Sequence, residues 1–433
     1  MLKTIIKREI LEYLKSAKFV SGLLITVILT TVSTAINVQD YTMRHQDYLD
    51  AKKELKSNGF EISMFREPQV LSTLVRGKDR DLGNFLKFSV MNIPSRLTGY
   101  QDVEQRKYPS FSGFPAVDFA FLVRVVLGLM VVFLAYNAVS EEKSNGTLKL
   151  VMANALPRDK LLLGKLVSGL AVVLSSLLIS AILAFLILLF HRAVSLSGAD
   201  GLRIAGMMAV SALYLSVFYA LGLFISVKAD RPATALMILL QTWIFLVIIY
   251  PNLSVTLAEH LCPLPSEEAL QRQYSAVYQK YSDAMKRANE AFDKNPRQFV
   301  EIWSTIAAEN RKIDQEFARR QTQQMKWAEF LSALSPAPLY DQVMNRLART
   351  DVREYERFME GVNRLWQKHV ERSRLRYTDP EAYKKTVLPD FSYRSDSAVD
   401  SLAATWPQGL VLLLFSLILF VLAYTGFLRK DLR

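Results

Sequence analysis

Six runs of apolar residues, at roughly 19–37, 117–139, 166–190, 204–226, 233–251 and 408–427, divide this 433-residue chain. Each is close to the ~20 residues of helix that carry a backbone across a hydrocarbon layer. Runs this long and this poor in charge predict transmembrane helices rather than soluble core helices. Six of them predict an all-α polytopic membrane protein. Polar positions collect elsewhere. Residues 1–18 alternate at helical spacing, with Leu2, Ile5, Ile6, Ile10, Tyr13 and Leu14 on one side and Lys3, Lys7, Arg8 and Lys15 on the other. That pattern predicts an amphipathic helix lying in the membrane interface, against the simpler reading of an extension of the first span.

Two long polar stretches, 38–116 and 252–405, remain. The first reads as helical to about residue 57, then loosens into "NIPSRLTGY" and "KYPSFSGFP", which are loop sequences. The second has few breakers between Pro265 and Phe330, and Pro296 splits that part into two helices of an antiparallel hairpin. "LSALSPAPLYDQVMNRL" is read as a turn back, followed by a helix from Val352 to Leu375 and a loop into the last span. The two stretches are expected to pack as one α-rich extracytoplasmic domain. Tyr274, Tyr278, Tyr281, Phe292, Trp303, Phe317 and Trp327 are expected in its core.

Charge supplies the orientation. The short pieces 1–18, 140–165, 227–232 and 428–433 hold 15 Lys and Arg against 7 Asp and Glu, while the two long stretches are nearly balanced, at 12 against 10 and 23 against 22. Short basic loops stay in the cytoplasm and long domains cross regardless of charge, so both termini are expected there. The first run is longer than a signal-peptide core and its lead-in carries Glu9 and Glu12, so it is read as a span. A bacterial cytoplasmic membrane is the expected location. The net charge of +12 is met by these loops and needs no nucleic acid. Cys262 is the single cysteine, which excludes an intrachain disulfide.

Catalytic chemistry is sparse. His45, His191, His260 and His369 form no metal-ligand pair, and no nucleophile motif occurs. "LLLGKL" has the Gly-Lys of a phosphate loop but neither the hydroxyl residue after it nor the upstream glycine, so ATP hydrolysis is not expected in this chain. Arg124 is the one basic residue well inside a run; it either snorkels outward or lines a pore. Hydroxyls in the spans commonly bond back to the backbone or to a neighbouring helix. The alternative is a translocation path, for which Thr30, Thr34, Arg124, Ser176 and Tyr214 are the candidates. Tyr214, Tyr219, Gln241 and Trp243 also read as interface anchors.

The stretch between the second and third runs is the most informative. "SEEKSNGTLKLVMANALPRDKLLLGK" places Glu141 and Glu142 at a helix end, then a turn in which Gly146 can take the left-handed conformation. Thr147 can cap a short helix that ends at Pro157. With "YNAVS" before it, this stretch resembles the first cytoplasmic loop of ABC-2-type ABC-transporter permeases. The matching positions are Asn137, Glu141, Glu142, Gly146, Thr147, Pro157, Arg158, Gly164 and Lys165. "LSPAPLYDQVMNRLARTDVREYERFMEGV" is similar to a subgroup with a large insert between spans five and six, seen in permeases of gliding-motility and nitrous-oxide-reductase maturation systems. The departures lie in the outer stretches. The resemblance implies a permease that pairs with itself or a sister subunit in the lipid membrane and binds a separate ABC ATPase, which would hold ATP and Mg. It also implies coupling through Glu141, Glu142, Gly146, Thr147, Leu148, Met152, Pro157 and Arg158. A further extracytoplasmic protein partner would suit the outer domain. The alternative from another class is a non-transporting membrane scaffold whose outer domain recruits envelope proteins.

Overall fold

The computed structural model describes residues 2–54, 61–79, 85–89, 117–148, 157–292, 295–387, 391 and 393–429. Six helices are long and apolar enough to cross a membrane: Ala17–Asp50, Phe119–Ser144, Asp159–Phe190, Gly198–Lys228, Pro232–Leu261 and Ala398–Arg429, called spans one to six below. At 1.5 Å per residue they are about 40–50 Å long, so their ends stand beyond a hydrocarbon layer of about 30 Å. Local chemistry sets several of the starts. Ser197 and Asp200 form a capping box at span four, and Pro232 occupies the first turn of span five, where its missing N–H costs nothing. The residues 2–15 form the predicted helix, Leu2–Lys15.

Span four is enclosed by the others, with Tyr214, Leu215, Phe218, Tyr219 and Leu223 fully buried. It packs along span six, and also against spans two, three and five. Spans one, five and six instead present apolar side chains outward, among them Leu24, Ile28, Met237, Ile248, Leu414 and Leu417. Hydrocarbon accepts such a surface; water would not. The end of the bundle that carries residues 140–148, 228–231 and Arg429 is called the loop end. The opposite end is called the hairpin end.

At the hairpin end, Glu267–Glu290 and Pro296–Ser332 form an antiparallel pair joined near Pro296. Tyr274 bonds Asp314, while Lys280 and Tyr281 both reach Glu309 at 2.8 Å, which fixes the antiparallel register. The apolar core of this region is not where the sequence places it. Tyr278 and Trp327 are more than two-fifths exposed, and the buried cluster comes mainly from the helix Val352–Thr378 through Tyr355, Phe358, Met359, Val362, Leu365 and Trp366. Two long helices in a hairpin bury only one stripe each, so a third helix is needed to enclose a core. A short antiparallel ladder, Glu61–Phe65 with Phe85–Ser89, adds a strand pair to the helical fold. The two long polar stretches touch: Lys78 N donates to Thr350 O at 2.8 Å, and Arg66 lies over the Tyr355 ring. Asp79 is fully buried between Arg66 and Arg44, at 2.8 and 2.7 Å.

The largest departure from the sequence reading is the segment 333–348. It does more than turn the chain back. Pro336–Ala348 is a helix buried against spans four, five and six, with Pro336, Leu339, Tyr340, Val343, Met344 and Leu347 all inside. Ser335 Oγ donates to Leu246 O at 2.7 Å and Tyr250 OH donates to Leu331 O at 2.7 Å. Leu246 is 14 residues into span five, about 21 Å along its axis. The chain therefore returns from the hairpin deep into the bundle before leaving again.

Candidate coupling site at the loop end

Span two does not run unbroken into its acidic end. The helix Gly128–Ala135 stops, four residues form turns, and a short helix Ser140–Ser144 follows. A break strands backbone N–H groups, and here Ser226 Oγ of span four accepts from Val139 N and Ser140 N, both at 3.0 Å. Lys143 in turn donates to the carbonyls of Val227 and Ala229 at the end of span four. Cations suit a helix C-terminus, where free carbonyls concentrate negative charge. Gly146 then takes φ of +72°, a left-handed turn that a side chain would strain.

These fixtures aim Glu142 inward and leave Glu141 outside. Glu142 Oε1 meets Lys165 Nζ at 2.8 Å, and the same ammonium meets Glu9 Oε1 of the N-terminal helix at 2.9 Å. Lys165 is only 3% exposed, so the two carboxylates replace its water. The second oxygen of Glu142 is buried with no hydrogen-bond partner among the described residues. Tyr13 closes the arrangement: its hydroxyl lies 3.1 Å from that of Tyr219, which donates to Lys165 O at 3.1 Å. Burial pushes the Tyr13 phenol up to about 12, which keeps it protonated and able to share this chain of hydroxyls. The contact is close. A Cβ on Gly169 would fall 1.8 Å from Tyr219 Oη, and one on Gly164 would fall 2.9 Å from Ile5 Cγ2. A cleft of about 370 Å³ lies between the N-terminal helix and this turn, lined by Arg8, Glu12, Asn137, Glu141, Asn145 and Thr147 among others.

The sequence-derived coupling residues fall here in part. Glu141, Glu142, Gly146 and Thr147 adjoin one another, and Thr147 Oγ1 donates to Glu142 O at 3.2 Å; the residues it is expected to cap lie outside the described residues. Leu148 is buried. Pro157 precedes the helix that begins at Arg158. Met152, and the short helix predicted around it, lie outside the described residues. Glu9 and Lys143 were not singled out from the sequence. The available signal for Glu9 was its place on the apolar stripe of the N-terminal helix, between Ile5 and Tyr13, where an acid needs a partner. Leu14, assigned to that stripe, is exposed instead.

The five translocation-path candidates separate. Thr30, Thr34 and Ser176 are buried on spans one and three, and the Thr30 and Ser176 hydroxyls have no partner among the described residues. Arg124 and Tyr214 sit together toward the hairpin end, where Tyr214 OH donates to Arg124 O at 3.0 Å. Arg124 pairs with Asp341 of the buried helix Pro336–Ala348, and about a quarter of each side chain stays exposed. That carboxylate comes from outside the apolar runs, which is why the runs alone did not reveal it. Tyr214 and Tyr219 are enclosed and hydrogen-bonded, so neither is an interface anchor.

Residues 3–432 match the family described as ABC-2 family transporter protein. The chain belongs to that family. Within the ABC-2 family, a stretch of 146 residues is 32% identical to a protein described as probable ABC transporter permease protein NosY, from Pseudomonas aeruginosa. The match covers 32% of this chain and 52% of that relative, so the chain spans about half the length of the curated protein it matches. The six-span helical architecture is thus that of a membrane-embedded transporter protein of the ABC-2 type.

Proposed function

We propose that this chain is the permease subunit of an ABC transporter, coupling ATP hydrolysis in a separate ATPase subunit to export or to work on an envelope partner. The observation that carries the reading is the fixed acidic turn at the loop end. Glu142, Lys165 and Glu9 bind span two, span three and the N-terminal helix into one unit, and Ser226 and Lys143 bind that unit to span four. A push on residues 141–148 is delivered to three spans at once, which is what a site that receives motion from outside requires. Glu141, Gly146 and Thr147 are exposed on it and form the surface offered to the ATPase, with Leu148 seated beneath. Met152, Pro157 and Arg158, further along the chain, are assigned to the same coupling role. ATP and Mg belong to the partner. The permease works as a dimer with itself or with a sister chain, in a bacterial cytoplasmic membrane, with both termini in the cytoplasm.

The test is purification of the tagged chain from its native membrane. An ABC ATPase co-purifies, ATP turnover depends on the assembled complex, and Gly146→Ala or Glu141→Gln weakens the dependence without unfolding the spans. Recovery of the chain with envelope proteins and without any ATPase sinks this reading in favour of a membrane scaffold.

A further inference from the structure

We infer that span two carries movement from the loop end to the hairpin, and that the Arg124–Asp341 pair is the joint through which it does so. The inference rests on the proposed function, in which an ATPase displaces residues 141–148.

Span two is bound by charge toward both ends, through Glu142 to Lys165 at one and through Arg124 to Asp341 at the other. Between them lie Gly128–Ala135, buried along most of its length, and the turn 136–139, whose break is fastened to span four through Ser226. Beyond Asp341 the path is continuous. Pro336–Ala348 follows the hairpin helix Pro296–Ser332 after three residues, and Gln342 Nε2 donates back to Ser332 Oγ at 2.8 Å. The buried helix cannot shift without taking the base of the hairpin with it.

Of the helices that hold this buried helix, spans two and five are each interrupted at the residue that bonds to it or to Ser335 just before it. Arg124 lies in a π-helical turn, Leu122–Leu127, and Leu246 lies in another, Phe245–Ile249. Their carbonyls accept side-chain bonds from Tyr214 and Ser335. A π turn is one extra residue accommodated in a helix, and its migration by one position moves the residue it passes by about 1.5 Å along the axis and turns it by about 100°. Spans two and five therefore have a place to change register beside the buried helix. Arg124 and Asp341 are about three-quarters enclosed, at 25% and 29% exposed, so separating them leaves two charges poorly compensated and favours their moving together.

The test is hydrogen–deuterium exchange on the full chain purified with its ATPase, without nucleotide and with ATP trapped. In the wild type, protection of residues 296–348 changes on ATP binding. Asp341→Asn loses that change while ATP turnover is retained, and the double reversal Arg124→Asp with Asp341→Arg restores it. Should Asp341→Asn fail to fold, a disulfide between Leu246→Cys and Ser335→Cys in a Cys262→Ser background carries the test: it abolishes the change, and reductant restores it. An ATP-dependent change that survives either Asp341→Asn or the disulfide overturns the inference, as does a hydrolysing wild-type complex whose hairpin shows no change. Absence of an ATPase from the preparation overturns the proposed function, and the inference with it.

Discussion

Lys165 is a single ammonium shared by two carboxylates from different parts of the chain, and the energetics of that arrangement are asymmetric. Burying three charged groups contributes little net stability, yet removing one member leaves the others without compensation, at a cost of about 3–5 kcal/mol for a fully buried set. Glu142 stays 26% exposed, so water screens part of the loss, and Lys165→Met is expected to cost about 2–3 kcal/mol. Thermal unfolding of the detergent-purified chain checks this: the midpoint falls for Lys165→Met, and falls less for Lys165→Met combined with Glu9→Gln and Glu142→Gln. An unchanged midpoint in the single variant would show that the pairings are incidental. Gly169 is the second residue with a sharp expectation. Its missing Cβ is the space in which Tyr219 lies, so Gly169→Ala forces the helices apart, at about 1–3 kcal/mol, and breaks the Tyr13–Tyr219 contact. Increased proteolysis of the N-terminal helix in that variant is the readout.

Among the elements, the spans were legible and Pro336–Ala348 was not, and the reason is physical. A span announces itself by an uninterrupted apolar run, because lipid faces it on one or more sides. The buried helix is surrounded by protein, so it tolerates Asp341, Gln342, Asn345 and Arg346 among its apolar residues and reads like an ordinary soluble turn. Tyr340 shows how it is held: its ring lies 4.7 Å from that of Tyr214 and its hydroxyl 3.1 Å from Ser211 Oγ. Truncating a buried aromatic of this size costs about 3–5 kcal/mol, so Tyr340→Ala is expected to lower the unfolding midpoint strongly while Tyr340→Phe, which loses one hydrogen bond worth about 1 kcal/mol, is nearly silent. Equal effects of the two would mean that packing is not what seats this helix. The hairpin was legible as two helices because Pro296 punctuates it. Its core was not, since the exposure of Tyr278 and Trp327 depends on the third helix, Val352–Thr378, whose position no local pattern encodes.

For the molecule as a whole, the acidic turn at the loop end was legible from its residue order, whereas the ion triad that fixes it was not, because Glu9 and Lys165 are 156 residues apart and meet only in the folded bundle. The orientation of the bundle gives the remaining prediction. In sealed cells, an impermeant maleimide is expected to label Ala276→Cys on the hairpin from outside in a Cys262→Ser background, and to label Asn145→Cys only after the membrane is opened. The reverse pattern would place the acidic turn outside and remove it from the reach of any cytosolic motor.

The seating of the N-terminal helix has a further implication, for how the protein is made. Glu9 and Tyr13 find their partners on spans three and four, at Lys165 and Tyr219, which emerge from the ribosome long after them. The helix Leu2–Lys15 must therefore wait for its partners until about two hundred further residues have been made, and its docking is complete only once the fourth crossing is in place.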